Sequence, residues 1–475
     1  MLRKLSLFIM LAALLAPGTL QAQSTHGSPR LMQGPMVGPA KPNQISAWVR
    51  TSGNYDCWIE YGTDPSLTNA ETTEKLTAQK ENDYCLVFTL DDLEPDTTYY
   101  YRVYVHDNVA HNFRGVPVFA TKTAPAKNAK TTFRVSFGSC AEWRMDPVQP
   151  VWQAVQRLDP DLFFWVGDNI YGDALDPDIL AEEYRRQRDV LGLQPVIHSV
   201  PQLATWDDHD FGLNNHDRTN PVKEGALDVF KQYWPNPSYG LPDVPGVFFK
   251  YHYGGVDFFF VDCRYYRDPN EAPDTPDKTM LGEEQLEWLK GELKESEAAF
   301  KVLISGSGWT AGKGPGADSW SAFLHERDAL FDYIQAEEIE GVLLLSGDTH
   351  VGELNCIPRS AVGGYDLYEL VSSPLAQDMS GRAFGLIPEM RIRPTYIDAP
   401  NAGILDFDFT GEVPVVTMNL ISEYGRVVWN GVTVRADELV NGVSSHESKR
   451  SDDARAMDLF SQTGRRALEE AGGGN

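Results

Sequence analysis

The stretch Leu162-Phe-Phe-Trp-Val-Gly-Asp-Asn-Ile-Tyr171 decides how this chain is read. Its first five residues are an unbroken apolar run of strand length. Such a run suits a strand buried on both faces, as in the parallel sheets of layered α/β domains. The run stops at Gly167, which permits a sharp turn, and a carboxylate follows at once. Asp168 and Tyr171 are three residues apart and can face one point across that turn. Loops converge into sites at such strand ends. Taken alone, the pattern also fits a helix N-cap aspartate beside a packing tyrosine.

The same grammar recurs on either side. Val342-Leu-Leu-Leu-Ser-Gly-Asp-Thr-His350 is a second apolar strand ending in glycine and a carboxylate, with His350 able to point the same way as Asp348. Carboxylate and imidazole together suit a borderline or hard metal ion. Phe137-Gly-Ser-Cys140 places a thiol at a strand end, although a lone cysteine is more often a buried structural residue. Ala204-Thr-Trp-Asp-Asp-His-Asp210 packs three carboxylates and an imidazole into four residues, with Asn214 and Asn215 close behind. Carboxylates that close repel unless cations or hydrogen bonds offset them. Asp207, Asp208 and His209 are therefore candidates for a metal or substrate site, against a solvated acidic turn.

Between these segments the pattern alternates. Helical runs are expected over Val148–Leu158, Ile179–Leu191, Glu283–Ser296 and Phe323–Glu337. Strands are expected over Phe133–Phe137, Leu203–Trp206, Lys301–Ser305 and Leu367–Ser372. A hairpin turns at Gly254-Gly255, and closing strands fall within Gly403–Trp429. This predicts an α/β layered catalytic domain with a mixed sheet over residues 131–430. Residues 32–124 differ: short runs such as Ile45–Val49, Cys57–Tyr61, Tyr84–Phe88 and Tyr99–Val105 are separated by turn residues. They predict a small fibronectin-like antiparallel β-sandwich. Leu93-Glu-Pro-Asp-Thr-Thr-Tyr99 resembles the approach to a tyrosine corner. Residues 431–475 read as a charged extension holding a loosely held helix or tail.

The 475 residues carry 41 Lys+Arg and 68 Asp+Glu, a formal net charge of −27. So acidic a chain is unsuited to general nucleic-acid or anionic-membrane binding. If it handles anions, a local cation must overcome the global field, and bound metal is the obvious source. Apolar residues at 42% exclude a mainly disordered chain. Residues 1–22 read as a leader: Arg3 and Lys4, an apolar Leu5–Ala16, then Pro17-Gly18 and a small Ala22 for cleavage. This pattern predicts export and no transmembrane span in the mature chain. Five cysteines are too few for a disulfide scaffold. Cys57 and Cys85 lie on neighbouring candidate strands, where a disulfide and two free thiols are both open.

The four strand-end motifs, in this order, resemble the PhoD-like alkaline phosphatases (alkaline phosphatase D) of the metallophosphoesterase superfamily. Val261-Asp-Cys-Arg-Tyr-Tyr-Arg-Asp268, and Asp318-Ser-Trp320 with Glu326-Arg327, resemble further shared segments. The resemblance covers roughly residues 35–430. It implies a metal-dependent phosphatase acting on small phosphomonoesters or diesters, with attack in line by a hydroxide generated on the metals. It implies Asp168 as a bridging ligand, Cys140, Tyr171 and His350 on a trivalent site (Fe3+), and Asp208 and Asp348 on divalent ions (Ca2+, with other divalent metals open). His209 takes the place of the superfamily's catalytic histidine. Two departures stand. The spacing from Asp208 leaves open whether Asn214 or Asn215 reaches a metal. The histidine usual before the last motif is replaced by Ser305-Gly-Ser-Gly-Trp309, which favours a hard oxygen-preferring cation over zinc. Phospholipase D-like or nucleotide phosphodiesterase activity on the same site, and a binding protein with a degenerate phosphatase domain, are the alternatives. Trp152, Trp206, Trp234, Trp309 and Trp320 are candidates for a lipid- or nucleoside-accepting cleft, although aromatics more often belong to the core. The oligomeric state is not legible.

Overall fold

A computed structural model describes residues 28–110, 118–381 and 385–472. The leader expected over residues 1–22 lies outside the described residues. Two six-stranded sheets form the larger, C-terminal part. In the first, strands Gln202–Thr205, Leu162–Val166 and Thr132–Gly138 run parallel, and Asn401–Asp408, Val415–Ser422 and Val432–Arg435 continue antiparallel. In the second, Val256–Phe260, Phe300–Ile304, Val342–Ser346 and Asp366–Ser372 run parallel. That sheet is edged antiparallel by Phe249–Tyr253 and Gly352–Pro358.

The sheets face each other across one apolar core. Phe164 meets Phe258 and Phe260 edge-to-face, with ring centroids 4.9 and 5.1 Å apart. Helices Val151–Leu158, Pro177–Arg188 and Lys223–Tyr233 pack with the first sheet, and Glu283–Glu295 and Leu324–Ala336 with the second. Leu162–Val166 is therefore covered on both sides, which accounts for its lack of alternation. The layered mixed-sheet class is as expected. The division into two sheets has no signature in the sequence, because every inner strand of either sheet reads as the same apolar run. The periodic reading also misses the helix Lys223–Tyr233.

All five tryptophans weighed as cleft residues are fully buried. Trp309 stacks on Trp320 at 4.6 Å, and Trp206, Trp152 and Trp234 pack among core aromatics. The N-terminal part is a sandwich of a three-stranded sheet (Leu31–Lys41, Gln44–Thr51, Cys85–Leu90) and a sheet centred on Asp56–Gly62 and Thr98–Val105. The hydroxyl of Tyr99 accepts from the Glu94 N–H at 2.9 Å, a tyrosine-corner contact. Cys57 and Cys85 sit on different sheets as buried free thiols, and all five cysteines are unpaired. The sandwich docks through Trp48, whose indole donates to the Gln232 carbonyl at 2.7 Å, and Tyr101, which donates to the His198 carbonyl at 2.7 Å.

Past residue 431 the chain is tied down rather than loose at the start of its last helix, Asp452–Gly472. Asp458 accepts from the fully buried Arg391 at 2.6 Å and pairs with Arg450. Among the described residues no helix is long and apolar enough to cross a membrane.

Candidate metal centre

Parallel pairing puts the C-terminal ends of seven strands at one edge of the two-sheet stack. Each of the four motifs leaves the sheet there. Cys140, Asp168, Asp348 and His350 then adopt positive φ of 59°, 49°, 67° and 54°. Non-glycine residues avoid this region at a cost of about 1–3 kcal/mol each, and such strain concentrates at functional sites. Gly167, at φ 93°, is required by close approach as well: a Cβ there would lie 2.7 Å from that of Asp207.

One cluster forms around Asp168. Cys140 Sγ donates to Asp168 Oδ2 at 3.2 Å, and Ser373 Oγ donates to the same sulfur at 3.2 Å. Tyr171 Oη lies 3.1 Å from His350 Nε2, and its ring lies 4.2 Å from that of His209. Asp168, Asp208 and His209 each present a ligand atom within 4.8 Å of the others. The sulfur of residue 140, the phenol of residue 171 and the imidazole of residue 350, which leave three separate strands, thus meet around Asp168. None of these side chains is a permanent cation. Asp168 is buried and its Oδ1 has no hydrogen-bond partner. Burial, with the Cys140 and Asp208 charges, pushes the Asp168 carboxyl well up. Burial likewise pushes the Cys140 thiol up to about 11 and the Tyr171 phenol upward. An unpartnered buried carboxylate oxygen beside a thiol, a phenol and two imidazoles is a donor set that a cation would complete, and it fits a resident metal.

A second cluster adjoins it. Asp207, Asp318 and Asp348 offer oxygens within 4.8 Å of one another. These carboxylates already have cations. Arg264, fully buried, binds Asp318 through both terminal nitrogens at 3.0 and 2.6 Å and pairs with Asp207 through Nε. Arg267 reaches Asp318 at 2.7 Å, and Lys313 pairs with Asp348. Burial opposes ionisation of Asp318, yet Arg264 and Arg267 outweigh it and hold that carboxyl far below its usual range. Asp208 stands at the border: Arg264 lies 3.6 Å away, and the Asn215 N–H donates to its Oδ2 at 2.6 Å.

Above both clusters lies a cleft of about 780 Å³. Asp168, Asp208, His209, Asn214, Asn215, Lys313, Asp348 and His350 line it, whereas Cys140, Tyr171 and Asp207 sit beneath its surface. His209 is oriented by a residue the sequence reading omits: its Nδ1 is 2.7 Å from Asp173 Oδ1. Burial lowers the imidazole's affinity for protons, but Asp168, Asp173 and Asp208 together push it up to about 10. Asp210, the last carboxylate of its motif, turns inward and accepts from Tyr184 at 2.7 Å and the Asn169 N–H at 3.0 Å, so it braces the turn. Arg264, Arg267 and Asp318 stand in the sequence inside motif segments without assigned roles, and Lys313 carries no signal there. A third group, Cys356, Asp366 and His446, lies elsewhere; there Asp366 accepts from Ser360, the Ser445 and His446 N–H groups and His446 Nδ1, the bonding of a cap.

The chain is similar to proteins already known. Residues 135–418 match the family model of PhoD-like phosphatases, and residues 18–125 match that of the PhoD-like phosphatase N-terminal domain. Alkaline phosphatase D of Bacillus subtilis (strain 168) is 27% identical over 311 residues, 55% of this chain and 52% of the relative, so the match spans about half of that protein's length. A solved structure of PhoD superposes with a TM-score of 0.66 at 18% identity, covering 91% of this chain and 97% of its own. A purple acid phosphatase from yellow lupin (Lupinus luteus) seeds gives 0.58 at 12% identity, over 84% and 74% of the two chains. With more than half its length matched by one family model, and the strand-end motifs gathered at one edge, the chain belongs to the PhoD-like phosphatase family.

Proposed function

We propose that this protein is an exported, metal-dependent phosphatase that hydrolyses phosphate monoesters, diesters or both by direct transfer to water. The observation that carries the reading is the buried Asp168, with an unpartnered oxygen, ringed by Cys140, Tyr171, Asp208, His209 and His350. Thiolate, phenolate and imidazole from Cys140, Tyr171 and His350 would hold a trivalent ion, Fe3+ by donor preference. Asp168 would be shared, and Asp208 with Asp348 would hold divalent ions such as Ca2+. Bound cations supply the acidity that activates water and the charge that neutralises phosphoryl oxygens.

The chain's own residues do the rest. Asp173 fixes the ring of His209 through Nδ1, so Nε2 is the atom left to donate to a phosphoryl or leaving-group oxygen. Asn214 and Asn215 edge the cleft where an ester substituent would lie. The motifs contain no serine nucleophile elbow, which favours water over a covalent intermediate. The leader-like residues 1–22 support export.

The test compares p-nitrophenyl phosphate with bis-p-nitrophenyl phosphate, with and without chelator. Hydrolysis of either that chelator abolishes supports the proposal. Preference for the diester points to the phosphodiesterase or phospholipase reading. Hydrolysis of neither by metal-loaded protein contradicts it and favours a binding protein. His209→Ala should lower kcat by roughly 10²–10⁴-fold for a poor leaving group and less for an activated one. Equal losses on both count against the acid role.

A further inference from the structure

We infer that Lys313 binds the phosphoryl group of the substrate, and that its ammonium rests on Asp348 until a divalent cation takes that carboxylate. The inference rests on the phosphatase reading and adds to it the residue that recognises the anion.

Three cations serve the second carboxylate cluster, and two of them are locked. Arg264 is fully buried, with its guanidinium spread over Asp207, Asp318 and the His216 carbonyl. Arg267 is fully buried among Asn270, Ser307 and Asp318. Neither lines the cleft. Lys313 does, and its Nζ has two ties: the carboxylate of Asp348 and the main-chain carbonyl of Asp318 at 3.1 Å. A divalent cation on Asp348 removes the stronger tie. An ammonium released into a wall of Asp168, Asp208, Asp318 and Glu271 remains beside the cleft, now facing whatever anion enters.

The backbone allows the swing. Lys313 sits in Ala311-Gly-Lys-Gly-Pro-Gly-Ala317. Gly314 and Gly316 hold φ of 87° and 72°, with no atom within 4 Å of where a Cβ would stand. The side chain is 22% exposed at present, on the cleft side of a loop with open space around its glycines. A lysine is a point charge on a four-carbon stem, suited to follow a phosphoryl group where a forked guanidinium would be fixed.

The test reads the amine directly. Full-length protein stripped of metal is labelled with acetic anhydride, and acetylation of Lys313 is measured by mass spectrometry. Labelling should be slow in the stripped protein, rise several-fold with Ca2+ alone, and fall again when inorganic phosphate is added. Labelling that Ca2+ leaves unchanged, or that phosphate fails to suppress, overturns the inference. In parallel, Lys313→Met should bind Ca2+ more tightly, because the competing ammonium is gone. Its KM for p-nitrophenyl phosphate should rise by about tenfold or more, the scale of a lost charge-assisted hydrogen bond, with a much smaller change in kcat; Lys313→Arg should recover part of the loss. Tighter Ca2+ binding with unmoved KM makes Lys313 a structural counter-ion and overturns the inference while leaving phosphatase activity standing. If the loaded wild type hydrolyses nothing, the labelling and phosphate-protection pattern still decides the inference by itself.

Discussion

Asp207, Asp318 and Asp348 sit among Arg264, Arg267 and Lys313; a few ångströms away, Asp168 and Asp208 share their space with a thiol, a phenol and two imidazoles. The two clusters adjoin at one edge of the sheets, yet their charge is balanced in opposite ways. In the second, three permanent cations from the chain itself meet three carboxylates. In the first no Arg or Lys takes part: Asp168 Oδ1 has no partner, as Asp207 Oδ2 has none in the second, but here burial pushes the Asp168 carboxyl, the Cys140 thiol and the Tyr171 phenol upward with only imidazoles as counter-charge. A protein of net charge −27 that sets such a donor set, free of Arg and Lys, beside a cluster bound by both has a place for a metal ion.

The comparison breaks most visibly at Asp168. Asp168→Asn should lower phosphatase activity by roughly 10⁴-fold or more, as chelation should, because the proposed shared ligand is lost. The same change should not destabilise metal-free protein, since it removes a buried charge with an unmet oxygen; a lower melting temperature for the stripped variant would contradict the account. Asp318→Asn should do the reverse. It strands two buried guanidinium groups and should cost about 3–5 kcal/mol of stability with or without metal, measured by denaturant unfolding. A neutral result there would mean the arginines do not depend on it.

A half-buried imidazole away from both clusters serves as a reference. His198 packs on Phe119 at 4.4 Å where the sandwich meets the catalytic part, and burial pushes it down to about 4 from an ordinary 6.5. Because the unfolded chain takes up this proton more readily than the folded one, stability is full above about pH 6.5 and declines as pH falls toward 4, by up to about 3 kcal/mol. His198→Phe should flatten that part of the stability curve, metal present or not. An unchanged slope assigns the acid sensitivity elsewhere. The smallest effect belongs to Asp173→Asn, which leaves His209 in place without its anchor and should reduce kcat by about tenfold. The KM for substrate should hardly move; equal changes in both would make Asp173 part of the binding surface.

Much of this was legible beforehand for a physical reason. A fully buried strand writes itself as an unbroken apolar run, and a glycine with a ligand-type residue after it marks where the chain leaves the sheet. Leu162–Val166 with Asp168, and Val342–Ser346 with Asp348, are of this kind. What pairs across the fold leaves no such mark. Asp318 lies in a loop 54 residues from its partner Arg264, and Lys313 looks like any lysine in a glycine-rich loop until Asp348 is found beneath it. Asp173 is two residues past Tyr171, yet its role depends on His209 arriving from the next strand. Asp207 and Asp208 are adjacent in sequence and belong mainly to different clusters, because Asp207 points under the sheet edge to Arg264 and Asp208 opens on the cleft.

The central claim is that separated segments jointly hold cations around Asp168. Elemental analysis of protein purified without chelator, read together with its visible absorption, tests this most directly. The account predicts bound iron with divalent metal, and an absorption band that Tyr171→Phe removes. Colourless protein free of metal that hydrolyses phosphoesters at full rate would contradict it.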